Sequence, residues 1–303
     1  MVGSFRVKFL PYGPNMNAPK RFKLTACTVK PKSPIDEIPK ANEVKTCSHS
    51  VKVAPPRSLL DQLENNTFII GIDVETHGWP QNQCRKGHIG RFGWYTLKDE
   101  TSLTFARIVQ LGWVIGNLEP DNESVTKNFL IIPNGFEISA QATQFHKISH
   151  ERALREGRPL SDVLCELMND VLHFYRHGAR VVAHQLEFDA TVIFEELGRC
   201  GLLDLQKDWE GIARKGYCTM NPTLGRWLKQ RRGEEVGPTS VQHALGLQNT
   251  LGRLLPEVIP PHHHVAVNDA RMARQIYVAL LKEANLCGND ATDGITRGVA
   301  TTF

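Results

Sequence analysis

Five residues in three separated stretches have the types and spacing that acid–base or metal chemistry needs: Asp73, Glu75, Asp189, His264 and Asp269. Asp73 and Glu75 close the run Phe68-Ile69-Ile70-Gly71-Ile72-Asp73-Val74-Glu75. That apolar run fits a buried strand. Side chains alternate across a strand, so the two carboxylates share one face while Ile72 and Val74 take the other. Two such acids repel each other unless a cation sits between them, and an oxygen-rich set suits Mg²⁺ or Mn²⁺. The plain alternative is a pair of exposed strand-end acids.

Asp189 follows Ala183-His184-Gln185-Leu186-Glu187-Phe188, where a strand ends, the chain turns and a helix opens. The C-terminal end of a strand is where α/β folds usually build sites. Taken by itself, Asp189 reads more simply as a helix N-terminal acid favoured by the dipole. His264-Val265-Ala266-Val267-Asn268-Asp269-Ala270 places an acid inside an apolar-periodic helix with a histidine just before it. His262-His263-His264 also fits a mobile loop or an incidental metal site.

Several elements must position these residues. The folded part is expected to begin near Thr67, with strands at Phe68–Glu75, at Ile108–Ile115 and at Phe129–Ile132, the last ending at Pro133. Leu160, Val163, Leu164, Leu167, Met168, Val171, Leu172 and Tyr175 have helical spacing, and Gly178 stops that helix. Arg180–His184 reads as a buried strand, Ala190–Leu197 as a helix, Tyr217–Met220 as a short fifth strand and Ala266–Leu281 as a final helix. Strands followed by alternating helix and strand mean an α/β fold with a mixed sheet.

Residues 1–65 read as a basic extension, expected to be mostly disordered, with a short strand near Phe5–Leu10. It carries Pro11, Pro14, Pro19, Pro31, Pro34, Pro39, Pro55 and Pro56 and has no sustained periodicity. The folded domain is expected over 66–285, and 286–303 as a loose tail. The first 35 residues hold seven Lys or Arg and no Asp or Glu. An acid-free basic leader is one mark of an organellar transit peptide, although the prolines and few serines favour a solvated tail. Seven cysteines, an odd number with no CxxC pair, argue against a disulfide framework or zinc ribbon and for a reducing, intracellular compartment. No run approaches the roughly 18–20 apolar residues of a membrane span. A net charge of +4 argues only weakly for an anionic partner.

Taken in order, the three stretches resemble the motifs of the DEDD 3′→5′ exonucleases, in the subclass with histidine, which includes proofreading exonuclease subunits, ribonuclease T and oligoribonuclease. Asp73-Val74-Glu75-Thr76 is similar to the first motif, Ala183-His184 through Phe188-Asp189 to the second, and His264, four residues, then Asp269-Ala270 to the third. Ala142–His146 and Cys218-Thr219 resemble connecting segments. The sister subclass has tyrosine four residues before the last acid, where this chain has Val265.

The resemblance implies an α/β, ribonuclease-H-like mixed five-stranded sheet flanked by helices. It implies metal binding by Asp73, Glu75, Asp189 and Asp269, with His264 as general base, and two Mg²⁺ or Mn²⁺ ions. It implies a single-stranded DNA or RNA 3′ end as partner, nucleoside 5′-monophosphate as product, and Thr76 and His146 as substrate contacts. Dimers are common in the family, so a homodimer is compatible with it. Two departures stand out: Gln185-Leu186-Glu187 replaces small or amide residues, and Lys147 stands where the family often has Gly.

Residues 77–105 are longer than the usual connection and hold Trp79, Arg85, Lys86, His88, Arg91, Trp94 and Tyr95. Cations follow phosphates and aromatic rings stack on unpaired bases. Arg91 and Trp94 are therefore candidate strand-guiding residues, against the alternative of a plain surface insertion. Arg226, Lys229, Arg231 and Arg232 form a second basic cluster, read first as a solvated loop. No glycine-rich phosphate loop or Gly-x-Ser-x-Gly occurs. The rivals to an exonuclease are a catalytically inactive nucleic-acid-binding module on the same fold and a related endonuclease.

Overall fold

The run that carries Asp73 and Glu75 forms β1, Phe68–Thr76, at the centre of a five-stranded sheet in the computed structural model of the protein. The structure describes residues 53–64, 66–78, 106–119, 121–236 and 245–293, with side chains through 284. β2 (Ile108–Gly116) pairs antiparallel with β1, and β3 (Glu123–Leu130) pairs antiparallel with β2. On the other side β4 (Ala179–Ala183) lies parallel to β1, and β5 (Tyr217–Cys218) parallel to β4. The order β3-β2-β1-β4-β5, with helices on its faces, is the mixed five-stranded α/β sheet that the sequence leads one to expect.

Alternation along β1 divides the molecule. Ile70, Ile72 and Val74 enter a core shared with Leu111, Trp113 and Ile115 of β2. After β3 come two short helices, α2 (Ala140–His146) and α3 (His150–Glu156), and that core is closed by α4 (Leu160–Arg176), α5 (Leu186–Arg199) and α6 (Leu203–Ala213). Val163, Leu164, Leu167, Met168 and Val171 of α4 are fully buried, as their spacing demands. Ile69 enters a second core on the opposite face, with α7 (Pro222–Arg231), α8 (Leu247–Leu254) and α9 (Ala266–Asp293). Gly71, Asp73 and Glu75 continue Ile69's row by strand periodicity, so the acids face the α9 side.

The structure moves several expected boundaries. β3 occupies Glu123–Leu130 rather than Phe129–Ile132, because an edge strand with one wet face alternates and only its apolar end is conspicuous in sequence. α5 starts at Leu186, so Asp189 lies inside its first turn rather than ahead of the helix. α9 continues to Asp293, past both Leu281 and the expected start of the tail at 286. The end of the expected extension is part of the folded body: α1 (Arg57–Leu60) buries Leu59 completely, and Trp227 Nε1 donates to the carbonyl of Val53 at 2.9 Å. Phe5–Leu10 and the other residues before 53 lie outside the described residues, as do Arg91 and Trp94. Among the described residues no helix is long and apolar enough to cross a membrane.

Candidate active site

Two glycines let α9 reach the acids. A Cβ on Gly71 would stand 2.1 Å from the carbonyl oxygen of Ala270, and one on Gly112 would stand 2.3 Å from the nitrogen of Val267. Gly112 is the cross-strand partner of Asp73. The first turns of α9 therefore rest directly on backbone beside Asp73, and Asp269 in the first turn is brought to β1. Gln110, opposite Glu75, accepts the backbone N–H of Ala266 through Oε1 at 3.0 Å. That satisfies one of the donors every helix start leaves unpaired. Farther along α9, Arg271 grips Glu123 at 2.6 and 2.9 Å. Arg274, fully buried, donates to the carbonyls of Asn117, Glu119 and Asn122 at 2.6–3.0 Å. These bonds tie α9 to the β2–β3 turn.

Carboxylate oxygens of Asp73, Glu75 and Asp269 lie within 4.8 Å of one another. Asp189 adjoins this trio without joining it at that distance. Its Oδ1 accepts the backbone N–H of Val74 at 3.1 Å. β4 pairs with β1 only over Phe68–Gly71, so Val74 has no strand partner in that register and the α5 carboxylate supplies the acceptor.

Such crowding is costly for charge. Burial, followed by the charges of Asp189, Asp269 and Glu75, raises the Asp73 carboxyl well above the ordinary range. Burial and then Asp269 push Glu75 up to about 8. Asp189 is raised mainly by burial, against the Val74 hydrogen bond, and Asp269 is raised by burial against the pull of His263. The site disfavours four negative charges in one pocket and would gain from cations. The donors are all oxygens, which fits Mg²⁺ or Mn²⁺.

His264 stands beside the acids, its Nδ1 3.9 Å from Glu75 Oε1. Its backbone N–H donates to Asp269 Oδ2 at 3.1 Å, fixing the histidine to the helix start. Burial, then His263, hold its imidazole below the ordinary pKa, so it is neutral near pH 7 and able to accept a proton. His146 is buried, its Nδ1 accepts from the N–H of Ile148 at 3.1 Å, and burial takes it down to about 4. Thr76 Oγ1 donates to the carbonyl of Gly78 at 2.9 Å. His184 of the second motif bonds Thr219 Oγ1 at 2.9 Å, and burial likewise lowers it to about 4.

Among the described residues, the three non-glycine residues with left-handed backbone are Lys147, Gln185 and His264. Lys147 and His264 line one cleft, and Gln185 precedes the helix that carries Asp189. Residues held in this region cost about 1–3 kcal/mol each and persist where surrounding structure over-determines them. The departures at Lys147 and Gln185 noted in sequence are thus positions of unusual backbone.

Sequence reasoning did not single out Phe145 or Gln248. They line a cleft of about 610 Å³ with Gln144, Lys147, Pro260, Pro261 and His262–His264. Phe145 is 53% exposed and meets the His264 ring edge-on at 5.9 Å. The signal for Phe145 was an aromatic residue next to His146, but only tertiary structure shows that it is uncovered. Of the second basic cluster, Arg231 is paired with Glu283 at 2.9 Å and lies over the Trp227 ring, which accords with a structural role.

No family model and no curated protein matches the sequence. Solved structures do resemble the chain in their path. The nuclease domain of 3′hExo, a DEDDh family member solved with bound rAMP, aligns over 73% of this chain and 94% of its own, at 10% identity and a TM-score of 0.40. Exonuclease I from Methylocaldum szegediense aligns over 73% of this chain and 42% of its own, at 16% identity and a TM-score of 0.49. A 3′-exonuclease solved for its recognition of a histone mRNA stem-loop aligns over 73% and 66%, at 10% identity and a TM-score of 0.45. The aligned region is thus less than half of the exonuclease I chain. In the order of its motifs the chain resembles the DEDDh exonucleases, and the solved structures it is similar to include a member of that family.

Proposed function

We propose that the protein is a metal-dependent 3′→5′ exonuclease that hydrolyses phosphodiester bonds at single-stranded DNA or RNA ends and releases nucleoside 5′-monophosphates. The observation that carries this reading is the meeting of Asp73, Glu75 and Asp269 oxygens within 4.8 Å, with a neutral imidazole beside them. Segments almost two hundred positions apart build one anionic pocket.

A phosphodiester is negatively charged and repels a nucleophile. Two divalent ions, when bound, would neutralise that charge and stabilise the attacking and leaving oxygens. Asp73, Glu75 and Asp269 would hold them, with Asp189 completing the set while its other oxygen stays anchored to Val74. His264 takes the proton from the attacking water. The left-handed backbone at His264 and its bond to Asp269 keep the imidazole aimed at the acids. Thr76, next to Glu75 on β1, and His146, next to Phe145, would contact the substrate, and Phe145 would offer a face on which a terminal base stacks.

The test is digestion of matched single-stranded DNA and RNA, labelled at the 5′ end, with Mg²⁺ or Mn²⁺. A descending ladder and mononucleotide product are expected, with circular strands left uncut. Asp73→Ala and Asp269→Ala should abolish release. Wild-type turnover in either variant would sink the metal assignment, and binding without release by the unaltered protein would favour the inactive module.

A further inference from the structure

His263 plays no part in the proposed reaction, yet it is tied into the same corner. Its Nδ1 lies 3.1 Å from Asp269 Oδ2, and its ring stacks on His264 with centroids 3.7 Å apart. One ligand atom each from His263, His264 and Asp269 fall within 4.8 Å of one another. This set differs chemically from the trio of acids. It offers two imidazole nitrogens and one carboxylate oxygen, the donors of Zn²⁺ and related borderline metals rather than of Mg²⁺.

The dimensions suit one small ion. Two ligands on a tetrahedral zinc at about 2.0–2.1 Å stand roughly 3.3 Å from each other. The His263–Asp269 pair is already near that spacing, so a metal can take the place of the contact between them. Access is open: the His263 side chain is 41% exposed and that of His264 37%, while Asp269 is buried. Both histidines line the cleft beside Pro260 and Pro261.

We propose that His263, His264 and Asp269 form a second, inhibitory site for Zn²⁺ or a similar borderline transition metal. It overlaps the catalytic set through Asp269 and His264. A metal there takes the lone pair that His264 needs and withdraws a carboxylate from the oxygen-only site. The binding claim stands on these side chains alone, whereas inhibition rests on the exonuclease reading.

The full-length protein is titrated with Zn²⁺ by calorimetry in excess Mg²⁺, without nucleic acid, and with Co²⁺ for its visible spectrum. Zinc binding is expected, with Co²⁺ showing tetrahedral d–d bands and no thiolate charge transfer. His263→Gln keeps an amide that can donate to Asp269 but removes a zinc ligand, and should weaken binding about 10–100-fold, the scale of perturbed metal sites. His262→Gln should leave binding unchanged. In the nuclease assay the Zn²⁺ concentration for half-inhibition should rise by a similar factor in His263→Gln. Absence of zinc binding in Mg²⁺, a thiolate spectrum, or equal affinity in wild type and a folded His263→Gln would overturn the site. If zinc binds as expected but no nucleotide is released in any condition, the exonuclease reading fails while the site stands.

Discussion

At the residue scale the site is a problem of unbalanced charge. Glu75 has an ordinary value of 4.5 in the unfolded chain but about 8 in the folded protein. Between those values the folded state keeps a proton that the unfolded state has lost, so stability falls as pH rises across that window. The raised Asp73, Asp189 and Asp269 act in the same direction. Divalent cations take over the role of the protons. The gain in melting temperature on adding Mg²⁺ should therefore be larger at about pH 8 than at about pH 5, and equal gains would show that the ion binds elsewhere. His264 acts differently, because it must be neutral. His264→Ala should lower turnover by roughly 10²–10⁴-fold, the usual worth of a general base, with folding intact by circular dichroism.

At the element scale the decisive contact is α9 against the sheet. Gly112 and Gly71 are open because the helix backbone occupies the space their side chains would need. Gly112→Val would force α9 away from β2. A stability loss of about 1–3 kcal/mol is expected from overpacking. Asp269 would retreat with the helix, so the Mg²⁺ concentration for half-maximal activity should rise. Retained metal response with lowered stability would mean that the helix pivots without moving its first turn. A different element contact holds the start of β2: the fully buried Glu196 of α5 accepts from Arg107 Nε at 2.8 Å and from the N–H of Ile108 at 3.2 Å. That carboxylate anchors the strand that places Gly112.

At the scale of the whole molecule, residues 53–64, described just ahead of β1, belong to the body that carries the site. Leu59 is packed in the core that contains α7, α8 and α9, and Arg180 Nη1 donates to the carbonyl of Gln62 at 2.8 Å. A chain beginning at residue 66 loses these contacts, whereas one beginning at 49 keeps them. The shorter chain should melt lower; Leu59→Ala alone should cost about 2–5 kcal/mol, as for other buried leucines. Equal melting curves for the two chains would show that this segment only decorates the surface.

Sequence alone reached the central strand, the α4 stripe and the class of fold, because short-range periodicity is written residue by residue; it singled out the five acid and histidine positions through the order of three motifs and their resemblance to a family. It caught only the apolar end of the wet edge strand, because β3 lacks a continuous apolar run. Nor could it place Leu59, whose burial depends on helices more than one hundred and fifty positions away. Composition grouped it with a proline-bearing extension instead. Only the tertiary structure decided that Gly71 and Gly112 face one helix, that Asp269 meets Asp73 and Glu75 while Asp189 anchors to Val74, and that His263 joins His264 at Asp269. Approach distances between distant segments depend on how closely backbones can pack, and that is a property of the assembled layers rather than of any single stretch.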